Sequence, residues 1–145
     1  MKCLEVRVNG IPAPQGSKRH VGGGVMIESS KKVKPWRSAV ATVTEKVDFP
    51  ELPYVRVVVW FFMPRPKSHY RTGRFSHLLR AGAPPYPGKY PDLDKLCRST
   101  LDALRMGGAY RDDAQVVKLN AFKVYAHQDE EPGALIRISD ADSEL

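Results

Sequence analysis

The chain has 145 residues, the length of one ordinary domain, and none of its apolar runs approaches the roughly 20 residues that a membrane-spanning helix needs. Its 42% hydrophobic and 27% charged residues are the proportions of a globular domain, and a net charge of +7 favours a polyanionic partner over a basic one. The charge is uneven: residues 1–50 carry nine Lys/Arg against four Asp/Glu and residues 51–91 seven against one, an upstream excess that suits a phosphate backbone.

Leu4, Val6 and Val8 alternate with Glu5, Arg7 and Asn9, which predicts a strand with one wet face, ended by Gly10. The following IPAPQGSKRHVGGG is too rich in Pro and Gly for a regular element, so Lys18 and Arg19 are expected on a loop. Pro35 fits the first turn of a helix running to about Val47, with Trp36, Val40, Val43 and Val47 as its apolar stripe. The β-branched and aromatic run from Tyr54 to Met63 predicts a central strand. A long basic loop spans Pro64 to Tyr90, with one helical turn expected near Phe75 to Arg80; loops of this length in compact domains are usually functional or mobile.

The next helix is expected from Leu93 to Met106, burying Leu93, Leu96, Cys97, Thr100, Leu101 and Leu104 and stopped by Gly107 and Gly108. Strands near 114–125 and 134–139 complete the chain, with a loose acidic ending. This order predicts one α+β domain over residues 1–145, with two helices packed on one face of a small mixed sheet. Cys3 and Cys97 lack metal-ligand spacing and the start MKCLEVRV lacks a long apolar stretch, so a reduced intracellular setting is expected.

The chemistry concentrates in PDLDKLCRSTLDALRMGGAYRDDAQVV, residues 91–117. Asp92 and Asp94 stand at the mouth of the second helix, and Asp112 and Asp113 lie beyond its exit. Carboxylate oxygens are the ligands that hard ions such as Mg²⁺ prefer, and such an ion in a basic protein points to chemistry on phosphates. Each residue also has a plain structural use: Asp92 as a cap, Asp94 against the helix dipole, Asp112 and Asp113 as turn formers. The helix rises about 21 Å, and the steps from Gly107 to Asp113 reach roughly 20 Å when extended. The pairs therefore meet within one chain only if it runs back almost straight; completion by a twofold partner is the other arrangement, and both stay open. Arg98, one turn after Asp94, either pairs with it on the surface or reaches a phosphate. Asp102 is expected to pair with Arg98 or Arg105, and Lys95 to be solvated.

Other chemistries fit badly. His20, His69, His77 and His127 stand alone without zinc spacing, Gly22 to Gly24 lack the ending of a phosphate-binding loop, and no Ser sits in a nucleophile elbow.

NGIPAPQGSKRH near the start, then PDLDKL, LDAL and the DDAQV block, in this order and at these separations, resemble the RusA family of Holliday-junction resolvases of bacteriophages and prophages. The resemblance covers most of the chain. It implies an α+β homodimer, in the cytoplasm of a bacterium or phage-infected host, that binds four-way junctions and other branched DNA. It further implies paired nicking of opposing strands with Mg²⁺, for which Mn²⁺ can substitute. Carried over by motif, Asp92, Asp94 and Asp113 are catalytic metal ligands, Asp112 assists, and Arg98 stands where the family can carry a catalytic lysine. Two positions depart: Lys95 stands where DLDN is usual, and Arg for Lys at 98 keeps the charge but not the point-charge geometry.

Lys18 and Arg19 fall in the family's basic amino-terminal motif. Arg65, Lys67, Arg71, Arg74, Arg80 and Lys89 of the long loop are candidate phosphate contacts, and Tyr90 or Tyr110 is a candidate for stacking on an opened base. The competing class is a noncatalytic RNA- or single-strand-binding domain, whose strand and helix order is similar. Against it, no strand carries an RGFGFVxF-like aromatic pattern, and such a module has no use for four carboxylates around one helix.

Overall fold

Strict alternation builds the first strand: β1, Leu4–Asn9, buries Val6 and Val8 and turns Glu5 and Asn9 to solvent. The computed structural model describes residues 3–16, 18–20, 26–28 and 31–143, with 18–20 and 26–28 as backbone. Those two segments are β2 (Lys18–His20) and β3 (Met26–Glu28), paired antiparallel. Lys18 and Arg19 thus lie on a short strand, not the expected loop. A three-residue ladder needs only paired backbone groups, so it leaves no hydrophobic period in the sequence.

α1 runs Val33–Glu45 and buries Val33, Trp36, Val40, Ala41 and Thr44. β4, Val55–Met63, buries Val55, Val57, Val59, Phe61 and Met63 on one face. α2 spans Leu93–Met106, and β5 (Val116–Tyr125) and β6 (Gly133–Asp140) follow. The four longer strands form one mixed sheet in the order β1-β6-β4-β5, antiparallel except for β4 beside β5. Parallel neighbours require a crossover, and α2 supplies it, so its start lies near the end of β4 and its exit near the beginning of β5.

Both helices cover the same sheet face, giving the expected α+β architecture. Trp36, Val40, Leu96 and Leu104 meet Val8, Val57, Val59, Phe61, Ile136 and Ile138 in the core. Each such large apolar side chain contributes roughly 1.5–3 kcal/mol by leaving water. Trp36 Nε1 donates to Thr100 Oγ1 at 3.0 Å inside the interface between the helices. Gly107 ends α2 so close to α1 that a Cβ there would stand 2.6 Å from Thr44 Cβ, and Gly108 turns the chain at φ +92°. On the opposite sheet face Trp60 stacks on Phe122 with centroids 5.6 Å apart, under Arg137, and Arg7 lies over Phe62.

The long loop holds two 3₁₀ turns, Lys67–His69 and Gly73–Phe75, where one helical turn near Phe75 to Arg80 was expected. Arg71 N–H donates to Leu78 O and Arg80 N–H to His69 O, both at 2.8 Å. Such local reciprocal bonds have no hydrophobic period to announce them. The acidic ending is tied rather than loose as far as Ser143, through Ala141 N–H to Tyr54 O at 3.1 Å. Among the described residues no helix is long and apolar enough to cross a membrane.

Candidate active site

Asp92 is the cap residue of α2 by backbone, at φ −69° and ψ 140°, yet its carboxylate makes no capping hydrogen bond. Asp92 and Asp94 are both exposed, and Asp94 meets Lys95 Nζ at 3.2 Å. Burial, with the charge of Asp94 added, pushes the Cys97 thiol up to about 11. Of the two arrangements open for Arg98, the surface pair with Asp94 is not among the ion pairs of the described residues. Its guanidinium instead lies against Gly16, where a Cβ would come within 2.6 Å of Nη1. With φ at +97° as well, position 16 suits only glycine.

This contact belongs to a wider docking of the amino-terminal motif on the first turns of α2. Gln15 N–H donates to Lys95 O at 3.1 Å, the Ser99 hydroxyl donates to Ala13 O at 2.6 Å, and Pro12, Ala13 and Pro14 are buried. The chain therefore leaves Gly16 beside Arg98, two residues before Lys18 and Arg19. The side chains of Lys18 and Arg19 lie outside the described residues.

Sequence reasoning missed Lys123. Its ammonium donates to Lys89 O at 2.9 Å and Pro91 O at 2.8 Å, pinning to the sheet the peptide that enters Asp92. The signal was present: Lys123 sits opposite Phe61 on the helix-covered face, a cation at an apolar step of the alternation.

The far end of α2 is arranged differently. Asp112 Oδ1 accepts from Ala114 N–H at 2.9 Å, and Gln115 Oε1 accepts from Asp112 N–H at 3.0 Å, a capping box around the 3₁₀ turn Asp113–Gln115. Gln115 Nε2 then donates to Leu52 O at 2.7 Å, just before β4. Asp113 faces Arg105 Nε at 3.6 Å; Arg105 bonds Asp102 at 2.7 Å, and Asp102 also pairs with Arg37 of α1. Burial pushes the Asp113 carboxyl above its ordinary value, Arg105 opposes this, and Asp102 and Asp112 add to it. Tyr110 is buried and donates its hydroxyl to Leu101 O at 2.6 Å, so it is not free to stack on a base; its place against α2 left no mark in the sequence.

The carboxylate pairs thus sit at opposite ends of a 14-residue helix, about 21 Å long. After Gly108 the chain goes to the segment before β4, where Arg111 pairs with Glu51, and does not run back toward Asp92. Among the described residues no three of His, Cys, Asp or Glu gather closely enough to hold a metal.

The loop cations divide as well. Arg65 lies 4.0 Å over the Tyr125 ring and donates to Pro84 O at 2.9 Å, and Arg80 donates to Ser68 O at 3.1 Å, so both hold the loop together. Arg74 lies over Phe75 at 4.9 Å, and Lys67, Arg71 and Lys89 are exposed.

The family model described as endodeoxyribonuclease RusA matches residues 8–139, a span that includes the amino-terminal motif, α2 and both carboxylate pairs. No curated protein matches the chain.

Proposed function

Because the chain belongs to the RusA endodeoxyribonuclease family, we propose that it is a Mg²⁺-dependent Holliday-junction resolvase, a homodimer that nicks opposing strands of four-way and other branched DNA. The observation that carries this reading is the condition of Asp92 and Asp94: two exposed carboxylates at a helix mouth, with Asp92 uncommitted to capping.

In kind these oxygens fit a hard divalent ion; in number one protomer offers two residues, and Mg²⁺ accepts water for the remainder of its shell. Bound there, Mg²⁺, or Mn²⁺ in its place, supplies Lewis-acid neutralisation of charge on the phosphate and acidifies water. Asp113 lies a helix length away within its own chain, so it joins the site from the second protomer of a twofold dimer, which also gives two sites for two strands. Asp112 holds the turn that presents Asp113. Arg98, seated against Gly16, offers a fixed cation to the scissile phosphate. Lys18, Arg19, Lys67, Arg71, Arg74 and Lys89 position the DNA by phosphate contact.

The test is a labelled four-way junction incubated with the protein with and without Mg²⁺. Symmetric paired nicks that vanish on chelation are expected. Tight binding with no nicking under any divalent ion would move the assignment to a noncatalytic nucleic-acid-binding domain.

A further inference from the structure

A cavity of about 580 Å³ lies between the amino-terminal segment 11–14, the end of β4 and the loop leading into α2. That volume is in the range of small-ligand sites, roughly 300–1,000 Å³. Its lining is apolar and aromatic, with the cations Lys32, Lys89 and Lys123 and, among the described residues, no carboxylate. Pro91 both lines it and precedes Asp92, so an occupant would lie next to the exposed carboxylates.

The rings on its wall are not equivalent. Tyr125 is committed, with Arg65 over one face and His69 against it edge-on at 5.7 Å. Tyr86 and Tyr90 are each 66% exposed, and among the described residues neither stacks on a ring or carries a cation. The lysines divide in the same way. Lys123 is bound to two carbonyls, whereas Lys32 and Lys89 form no ion pair among the described residues. Uncommitted aromatic faces beside uncommitted cations, without an opposing charge, complement a base that carries its own phosphate.

We propose that this cavity binds one unstacked nucleotide of the DNA strand, its base against Tyr86 and Tyr90 and its phosphate beside Lys32 and Lys89. A branched substrate favours such capture, because nucleotides that are already unpaired are the cheapest to draw out of the stack. The proposal rests on the nuclease reading for the identity of the polymer, and its test needs no cleavage.

The experiment scans a single abasic site through the nucleotides flanking the crossover of a four-way junction and measures binding by fluorescence anisotropy in EDTA. At one position in each strand, loss of the base should weaken binding by roughly tenfold. Tyr86→Ala with Tyr90→Ala should shrink that difference to less than about twofold, and Tyr86→Phe with Tyr90→Phe should keep it, since the ring does the stacking. Both tyrosines are exposed, so the alanine pair leaves the core intact. A protein that never nicks yet shows the position effect supports the cavity and sinks the nuclease reading. One that nicks normally with a flat abasic scan retains the nuclease reading and overturns the cavity, as does a position effect unchanged in the alanine pair; either result leaves the groove to an apolar peptide.

Discussion

At the amino-terminal end of α2, Asp92 and Asp94 are exposed and the Asp92 side chain caps nothing; at the carboxyl end, Asp112 closes a capping box and Asp113 faces an arginine in a chain of ion pairs reaching α1. The same residue type therefore does different physical work at the two ends. Near the helix amino terminus the dipole favours negative charge, so uncommitted carboxylates can be kept there at little expense to the fold. At the other end the dipole is adverse to carboxylates, and Arg105 and the turn around Asp113 offset it. Where folding leaves an acid idle, its removal should cost activity; where folding uses it as a cap, as at Asp112, removal should cost stability too.

The largest effect should come from the idle end. Asp92→Asn or Asp94→Asn should lower single-turnover nicking by at least about a hundredfold, since even the groups behind a metal's ligands are worth 10–100-fold. Stability should stay within about 0.5 kcal/mol of the parent, as for other exposed positions. A melting temperature lowered by several degrees would show that these acids serve the fold after all.

Mixing sharpens the comparison by asking whether the two ends meet across the proposed dimer. Asp92→Asn and Asp113→Asn proteins are each expected to be inactive alone. In a mixed dimer with sites shared between protomers, one site regains both acids and the other loses both. Nicking should recover to roughly a quarter of the parental level after random exchange, as single rather than paired nicks. Sites built within one chain would recover nothing.

How much of this contrast the sequence disclosed depends on the range of the interaction. The bounds of α2 were legible from its period and its closing glycines, and β4 from its β-branched run, because those signals repeat along the chain. The α+β packing followed from element order. Whether Asp112 and Asp113 return to Asp92 within one chain could be posed from helix length but not resolved, since it depends on where residues 109–115 go. That path is set by contacts that carry no periodic signal, Gln115 to Leu52 far off in sequence and Tyr110 back to Leu101 on α2. Gly16 looked like one more loop glycine until Arg98 was found against it. Lys18 and Arg19 were expected on a loop because a three-residue ladder has no pattern to read, and the role of Lys123 lay in an irregular charge on an otherwise apolar face.

A smaller effect should separate the two first members of each pair. Asp112→Ala removes the acceptor for Ala114 N–H and should cost about 1 kcal/mol, the usual worth of a side-chain cap. In urea unfolding this appears as a lower midpoint with an unchanged slope. Asp92→Ala should show no comparable loss, because its carboxylate makes no such bond. Equal losses at 112 and 92 would erase the distinction between the ends.

The smallest effect is a pH dependence at Asp113, measured without metal. Its carboxyl is raised in the folded protein, by burial first, against the opposing charge of Arg105. The folded chain therefore holds that proton more tightly than the unfolded chain does. In the acid window between the two values, stability must fall as pH rises, and above it the loss stays constant. Asp113→Asn cannot titrate, so variant and parent should nearly coincide at the acid side of the window. The variant should gain on the parent as pH rises through it and keep that gain to neutrality. The gain should be slight, because about half of the Asp113 side chain is exposed. Urea midpoints for both proteins across the acid range read the difference directly. A variant that instead falls behind its parent as pH rises would mean that the ion pair with Arg105 outweighs burial, and that Asp113 belongs wholly to the folding network at its end of the helix.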